Sequence, residues 1–398
     1  MDKRLFLIVT FSLLAAACTQ EPSSGITLQE KVYVAVEGAN QIAVLDPMQR
    51  TVVKTIDLSE KQGNIIHEFS PHNVQVAPDG MSVWVTGNHG HSDHGDGKVN
   101  MRSFRLIPRV YACHSADEES VGHGNSSGAI EPCTEDEAPD EVIIINPKTD
   151  AIIHRIPLAI GAHLAHVVLT PDSSTAYVTA QMKGVIYKIN ARSFEIEKEI
   201  SAPKDSEPHG LRIAPDGSSA YIALLKGHGF GVLNLKTETL QIHPLNGSAV
   251  QAGVTPDGKV AFASVFDGKS LAIYHPATKS IEYMQMPKNS HGPLQMYPTP
   301  DSRYVYLADQ GYYFNQPNGN TVYKIDLEER RLVKEISVGT APHGVVVSPD
   351  GTFVYVTNLL SNDVSIIDTS SDVEIGRVSV GKMPNGISIW SQKHGGTP

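Results

Sequence analysis

Cysteine, tryptophan and charge are all scarce in this chain. Only 3 Cys and 2 Trp occur among 398 residues, and charged residues make up 19%. The 32 Lys and Arg form no long run and are outnumbered by 43 Asp and Glu, giving a formal charge of −11 with His neutral. Nucleic acid and an anionic membrane surface are thereby excluded as main partners, since either needs a basic footprint. No C-x-x-C-H segment occurs, so covalent c-type haem is out; G-x-S-x-G, a phosphate-cradling glycine loop and H-E-x-x-H are missing too. What remains has 40% hydrophobic residues, 33 Gly and 25 Pro, enough apolar material for a full core. One residue type is in surplus: 17 His stand against those three Cys.

Residues 1–18 read as an export signal. Lys3 and Arg4 form the charged start, Leu5 to Leu14 is too short an apolar run to cross a bilayer, and Ala15-Ala16-Ala17 lead into Cys18. A small-residue run ending in Cys is similar to a bacterial lipoprotein signal. That resemblance implies lipidation of Cys18, and Thr19 after it, in place of Asp, implies sorting to the outer membrane. The expected location is therefore the periplasm, with the lipid as the sole membrane attachment. The alternative is an ordinary cleaved signal with an incidental Cys. Residues 19–29 form a polar tether, 30–392 the folded unit and 393–398 a tail. In an oxidising space Cys113 and Cys133 are expected to pair, a bridge that would stabilise its loop by roughly 3 kcal/mol.

Internal repetition dominates the rest. Pro-Asp recurs at Pro78, Pro171, Pro215, Pro256, Pro300 and Pro349, with separations of 93, 44, 41, 44 and 49 residues. Each copy has an apolar strand, a Pro-Asp-Gly/Ser turn and a second strand such as Val354-Tyr355-Val356-Thr357. Proline presets the turn's φ, and Gly supplies the positive φ that a tight reversal needs. The repeated Asp79, Asp172, Asp216, Asp257, Asp301 and Asp350 are thus expected to be structural. Four short strands per period predict an all-β, seven-bladed β-propeller. Its seventh inner strand, from Pro384 to Trp390, lacks partners, whereas the strands from Val32, Ile42 and Val52 lack an inner strand, so pairing the two ends closes the ring. The string Tyr355-Val356-Thr357-Asn358 resembles the bacterial YVTN-repeat propellers, and the resemblance covers residues 30–390. It implies an exported protein, some relatives being plain binding proteins and others carrying metal or haem centres.

The long interval holds an insertion at about 88–140, expected beside the channel mouth on the face where inner strands begin. It carries His89, His91, His94, His114, His123 and both remaining Cys. It reads either as a lid or as a disulfide-pinned surface excursion with solvated His.

Three inner strands begin alike, with Pro71-His72, Pro208-His209 and Pro342-His343, each His six residues before its Pro-Asp turn. His166 lies five before its turn, with His163 just ahead; His291 lies nine before its own; Gln251 and Asn385 stand where two blades lack His. Equivalent positions in successive blades share one height, so up to five imidazoles are expected around one point, a donor set suited to a transition metal. His89 and His91 form an H-x-H pair that could face the same way. The pattern is similar to the copper-binding propellers of nitrous oxide reductase and thiocyanate dehydrogenase, which implies copper as first choice of cofactor, and a copper-dependent oxidoreductase if the protein is an enzyme. The competing reading is a metal-free scaffold whose channel His are solvated and whose face binds a peptide, glycan or protein. A small-molecule substrate or a protein partner is expected at that face. Tyr312-Tyr313-Phe314 reads as a rim contact or as local loop packing.

Overall fold

The computed structural model describes residues 29–90 and 138–392, and the backbone of 395–396. Cys18, Cys113, Cys133, His91 and nearly all of the insertion lie outside the described residues. The expected disulfide and lipid attachment therefore fall there too.

Six blades are four-stranded antiparallel sheets laid down from the channel outward, and the seventh has a fifth short strand, Gly395–Gly396, paired to Pro384–Ser391. The first joins Phe69–Val76, Val83–His89, Asp140–Asn146 and Ala151–Ala159, and residues 164–201, 208–244, 249–285, 293–337 and 342–379 form the next five. In the seventh, the inner strand Pro384–Ser391 pairs with Glu30–Val36, through Val32 opposite Ile389 and Val34 opposite Ile387, and Gln41–Asp46 and Thr51–Asp57 follow. The chain ends thus meet in one sheet, and the ring closes.

Local chemistry explains the repetition. Gly80, Gly217, Gly258 and Gly351 adopt φ between 67° and 74° after their Pro-Asp, and Ser173 and Ser302 take φ of 55° and 65° in the other two turns. In every copy the Asp carboxylate accepts the N–H two residues on, as from Met81 to Asp79 at 2.9 Å and from Thr352 to Asp350 at 3.0 Å. The repeated aspartates are turn braces, as their spacing implies.

Inner strands such as Phe69–Val76 and Pro342–Val347 are buried throughout, whereas outer strands such as Thr51–Asp57 are largely exposed. Apolar side chains of adjacent blades interlock, for example Val168, Tyr177 and Ile186 with Leu211, Ile222 and Leu233. Burial of these faces drives the closure. Around the axis, consecutive inner strands adjoin one another, which fixes the height of each residue on them.

Candidate functional site: a histidine cluster at one channel mouth

Each inner strand carries an irregularity near its start. Pairing slips between Pro71 and Asn73, Leu164 and Val167, Pro208 and Leu211, and Pro342 and Val345. A bulge leaves its residues outside the ladder and re-aims their side chains. His72, His166, His209 and His343 all occupy such bulges, so the backbone turns them from the sheet toward the axis.

Hydroxyls on the second strands hold the bulges in place. Thr179 Oγ1 accepts the His166 N–H at 2.9 Å and donates to the His209 carbonyl of the next blade at 2.7 Å. Thr357 Oγ1 likewise accepts the Gly344 N–H and donates to the Asn385 carbonyl, both at 2.7 Å. The Thr of the repeated Val-Thr ending is thus a bracket between blades. Glycine follows His343 because a Cβ on Gly344 would lie 2.4 Å from the Asn385 carbonyl oxygen.

Four imidazoles meet as a result. Ring centroids are 5.5 Å apart for His72 and His209, 5.4 Å for His166 and His209, and 6.4 Å from His72 to each of His166 and His343. His163, at φ 49°, adds a fifth ring 5.6 Å from His72. His209 Nδ1 faces the Val250 carbonyl at 2.9 Å, and His343 lies between the amides of Gln310 at 2.8 Å and Gln295 at 3.2 Å. His72 Nε2 and both ring nitrogens of His166 are buried with no hydrogen-bond partner. Such orphaned polar atoms are uncommon in a folded interior and costly unless something else engages them.

One carboxylate joins the cluster. Glu37, on a short 3-10 turn after the first strand, lies 3.8 Å from His72 Nδ1, accepts from the Asn385 amide at 2.7 Å and from the Tyr313 hydroxyl at 3.4 Å. Burial alone would raise its pKa, but His72, the Asn385 amide and His343 outweigh it and hold the carboxyl near 2. Burial, then the charge of His72, lowers His209 and His343 to about 3; the Val250 carbonyl and Glu37 respectively oppose this only in part. His166 is depressed as well, first by burial, then by His209, Arg212, His72 and His343. These three imidazoles are therefore neutral at pH 7, the form that ligates metals.

The sequence-predicted residues separate into those the fold gathers and those it does not. His72, His166, His209 and His343 share one contact cluster. His291 stands apart, its N–H donated to Asp309 at 2.8 Å and its ring 3.5 Å from the same carboxylate, because Asp309 also binds Ser290 and Gly292 and clamps that loop. His89 packs its ring against His67 and Phe69, at 5.2 and 5.6 Å, with His67 Nδ1 facing His89 Nε2 at 3.2 Å. The tyrosine cluster packs locally: Phe314 stacks on Phe266, and Tyr313 meets His343 edge-on at 5.5 Å. Glu37, Gln295 and Gln310 were not foreseen, for none lies in the repeated Pro-His register.

Imidazoles are a suitable donor set for copper or zinc; neutral His166 carries one free lone pair on its two orphaned nitrogens, and His72 Nε2 is likewise unengaged. Among the described residues, however, no three His, Cys, Asp or Glu side chains already stand where one ion would be held. Two imidazoles on one ion with bonds of about 2 Å have centroids roughly 5 Å apart, so the cluster fits in chemistry and must contract slightly to fit in spacing.

These features define a seven-bladed β-propeller with a polar cluster at one channel mouth. No family model and no curated protein matches the chain. Solved structures do resemble it. A functionally unknown protein from Desulfotomaculum acetoxidans is 14% identical with a TM-score of 0.63, over 90% of this chain and 98% of that one. A catalytically inactive virginiamycin B lyase from Staphylococcus aureus is 14% identical, TM-score 0.59, over 84% and 96%. Kuenenia stuttgartiensis hydrazine synthase is 15% identical, TM-score 0.59, over 82% and 94%. At such identity the likeness is one of fold, and propellers host unrelated activities.

Proposed function

We propose that this is an exported, lipid-anchored propeller of the YVTN-repeat type that binds a transition metal, copper first, at the histidine cluster. The observation that carries the reading is the trio of buried ring nitrogens on His72 and His166 without partners, in contact with His209. His72, His166 and His209 would hold the ion. His343, already engaged by two glutamines, would stand beside it, and Glu37 would balance its charge. Copper on imidazoles supplies one-electron redox chemistry, the basis for an oxidoreductase if a substrate binds. This chain's own part is to keep His166 and His209 neutral by burying them away from water. Gln295 and Gln310 engage His343, and Asn385 and Tyr313 engage Glu37, which gives the cluster a polar lining. The same polar lining supports the second reading, a metal-free scaffold that binds a partner at this face.

Protein produced with its export signal and reconstituted with Cu(II) is expected to retain about one equivalent, with nitrogen hyperfine structure in its EPR spectrum. A His166→Ala/His209→Ala double variant that keeps its far-UV circular dichroism should lose that signal. Retention below about 0.2 equivalents, or unchanged loading in the double variant, refutes metal binding and leaves the scaffold reading. Cys18→Ser should release the protein from membranes; continued membrane association would refute the lipid anchor.

A further inference from the structure

The opposite end of the channel has a ring of its own. Three residues before each Pro-Asp turn stand Gln75, Val168, Arg212, Gly253, Tyr297 and Val346. Three residues of strand span about 10 Å, so on blade three Arg212 lies one level below His209, toward the other mouth. A cavity of about 400 Å³ opens there, within the size range of small-molecule sites. Its wall is mainly apolar, built from the six turn prolines with Val168, Leu169, Val254, Met296 and Val347.

Among the described residues, Arg212 is the one charged residue lining that cavity. Its Nη1 donates to the carbonyl of its own neighbour, Leu211, at 2.9 Å, and no carboxylate among the described residues pairs with it. Arg155, Arg303 and Arg377 each have a carboxylate partner, in a chain with 43 of them. A mostly buried guanidinium with no counter-charge is costly, and burial does lower the Arg212 pKa, with Tyr297 alone opposing it. A planar fork in an apolar chamber matches a ligand with one anionic head and an apolar body.

We infer that the lower channel mouth is a binding site for a small amphipathic organic acid, its carboxylate or sulfonate held by Arg212 and its apolar part by the proline-walled cavity. No residue of this site belongs to the histidine cluster, which feels it only through the Arg212 charge on His166, and the two proposals stand or fall separately.

Anilinonaphthalene sulfonate, whose fluorescence rises in apolar surroundings, is the probe. Native protein should bind about one equivalent, displaced by hexanoate and not by the neutral hexan-1-ol. Arg212→Met should weaken binding about tenfold or more, Arg212→Lys should restore part of it, and Val168→Trp, which fills the chamber and leaves the cation, should abolish it. His209→Ala should leave it unchanged. The inference is overturned if the native protein does not bind the probe, if Arg212→Met and Val168→Trp leave its affinity as it was, or if hexan-1-ol displaces it as well as hexanoate.

Discussion

Acidifying the metal-free protein should unfold it far earlier than its carboxylates alone would. In the folded state burial holds His209 and His343 near 3 and His166 well below 6.5, whereas in the unfolded chain all three return to about 6.5. The unfolded chain therefore takes up protons as pH falls from 6.5, the folded one does not until pH nears 3, and stability drains through that window. Between pH 6 and 5 unfolding should take up close to three protons, a slope of roughly 4 kcal/mol per pH unit. Glu37, held near 2, contributes stability that is fully present above its unfolded value of 4.5 and is lost progressively as pH falls from there to about 2, so it adds little between pH 6 and 5. His243, depressed by burial and then by Lys279, adds a contribution of the same sign. Against the usual 5–15 kcal/mol of a folded domain, such a slope brings unfolding by about pH 4.5. Urea titrations with chelator present, followed by the fluorescence of the buried Trp84 and Trp390, measure stability at each pH. His166→Gln should lower the slope by about one proton. A native slope below about one proton, or a variant slope equal to the native one, would refute a buried neutral cluster.

Two further substitutions test how blades are held at that mouth. Gly344→Ala places a Cβ against the Asn385 carbonyl oxygen, where backbone must move, and should cost about 3 kcal/mol in a urea titration; a loss under about 1 kcal/mol would mean that the blades yield easily. Thr357→Val removes the acceptor for Gly344 N–H and the donor to Asn385, both buried, and should cost about 2–4 kcal/mol, with Thr357→Ser recovering most of it. Equal stability of the valine and serine variants would show that the hydroxyl is not the bracket.

Much of this fold is local in origin, and for that reason legible. Pro-Asp-Gly/Ser turns are specified by three consecutive residues, and the Asp bond that braces each one spans two residues. Ring closure was readable too, because unmatched strands at the two ends could be counted. The register of Pro71-His72, Pro208-His209 and Pro342-His343 placed three members of the cluster, and His166 followed from an offset of one. That offset has a physical sense: the bulge contains two residues, and in blade two the second of them carries the imidazole.

Other parts of the site depend on contacts no local pattern encodes. His291 shared the His-Gly pair with His209 and His343, yet Asp309, arriving from the next strand, ties its loop aside. His89 lies near the channel strands in sequence, but its ring found His67 and Phe69. Glu37 reaches Asn385 across 348 positions, and Tyr313 reaches Glu37 across 276. Arg212 reads in the sequence as one more strand residue, but closure of the ring walls it in with six prolines and, among the described residues, no carboxylate.

The sequence by itself determined the number of blades, their turns and the height at which three histidines stand, because periodic strands and short turns are governed by neighbours a few residues away. Only the tertiary structure decided which imidazoles touch, which nitrogens are left without partners and that Arg212 is enclosed with no carboxylate among the described residues beside it. Those properties belong to the closed ring, where burial and long-range approach, set by all seven blades together, decide what each polar group can reach.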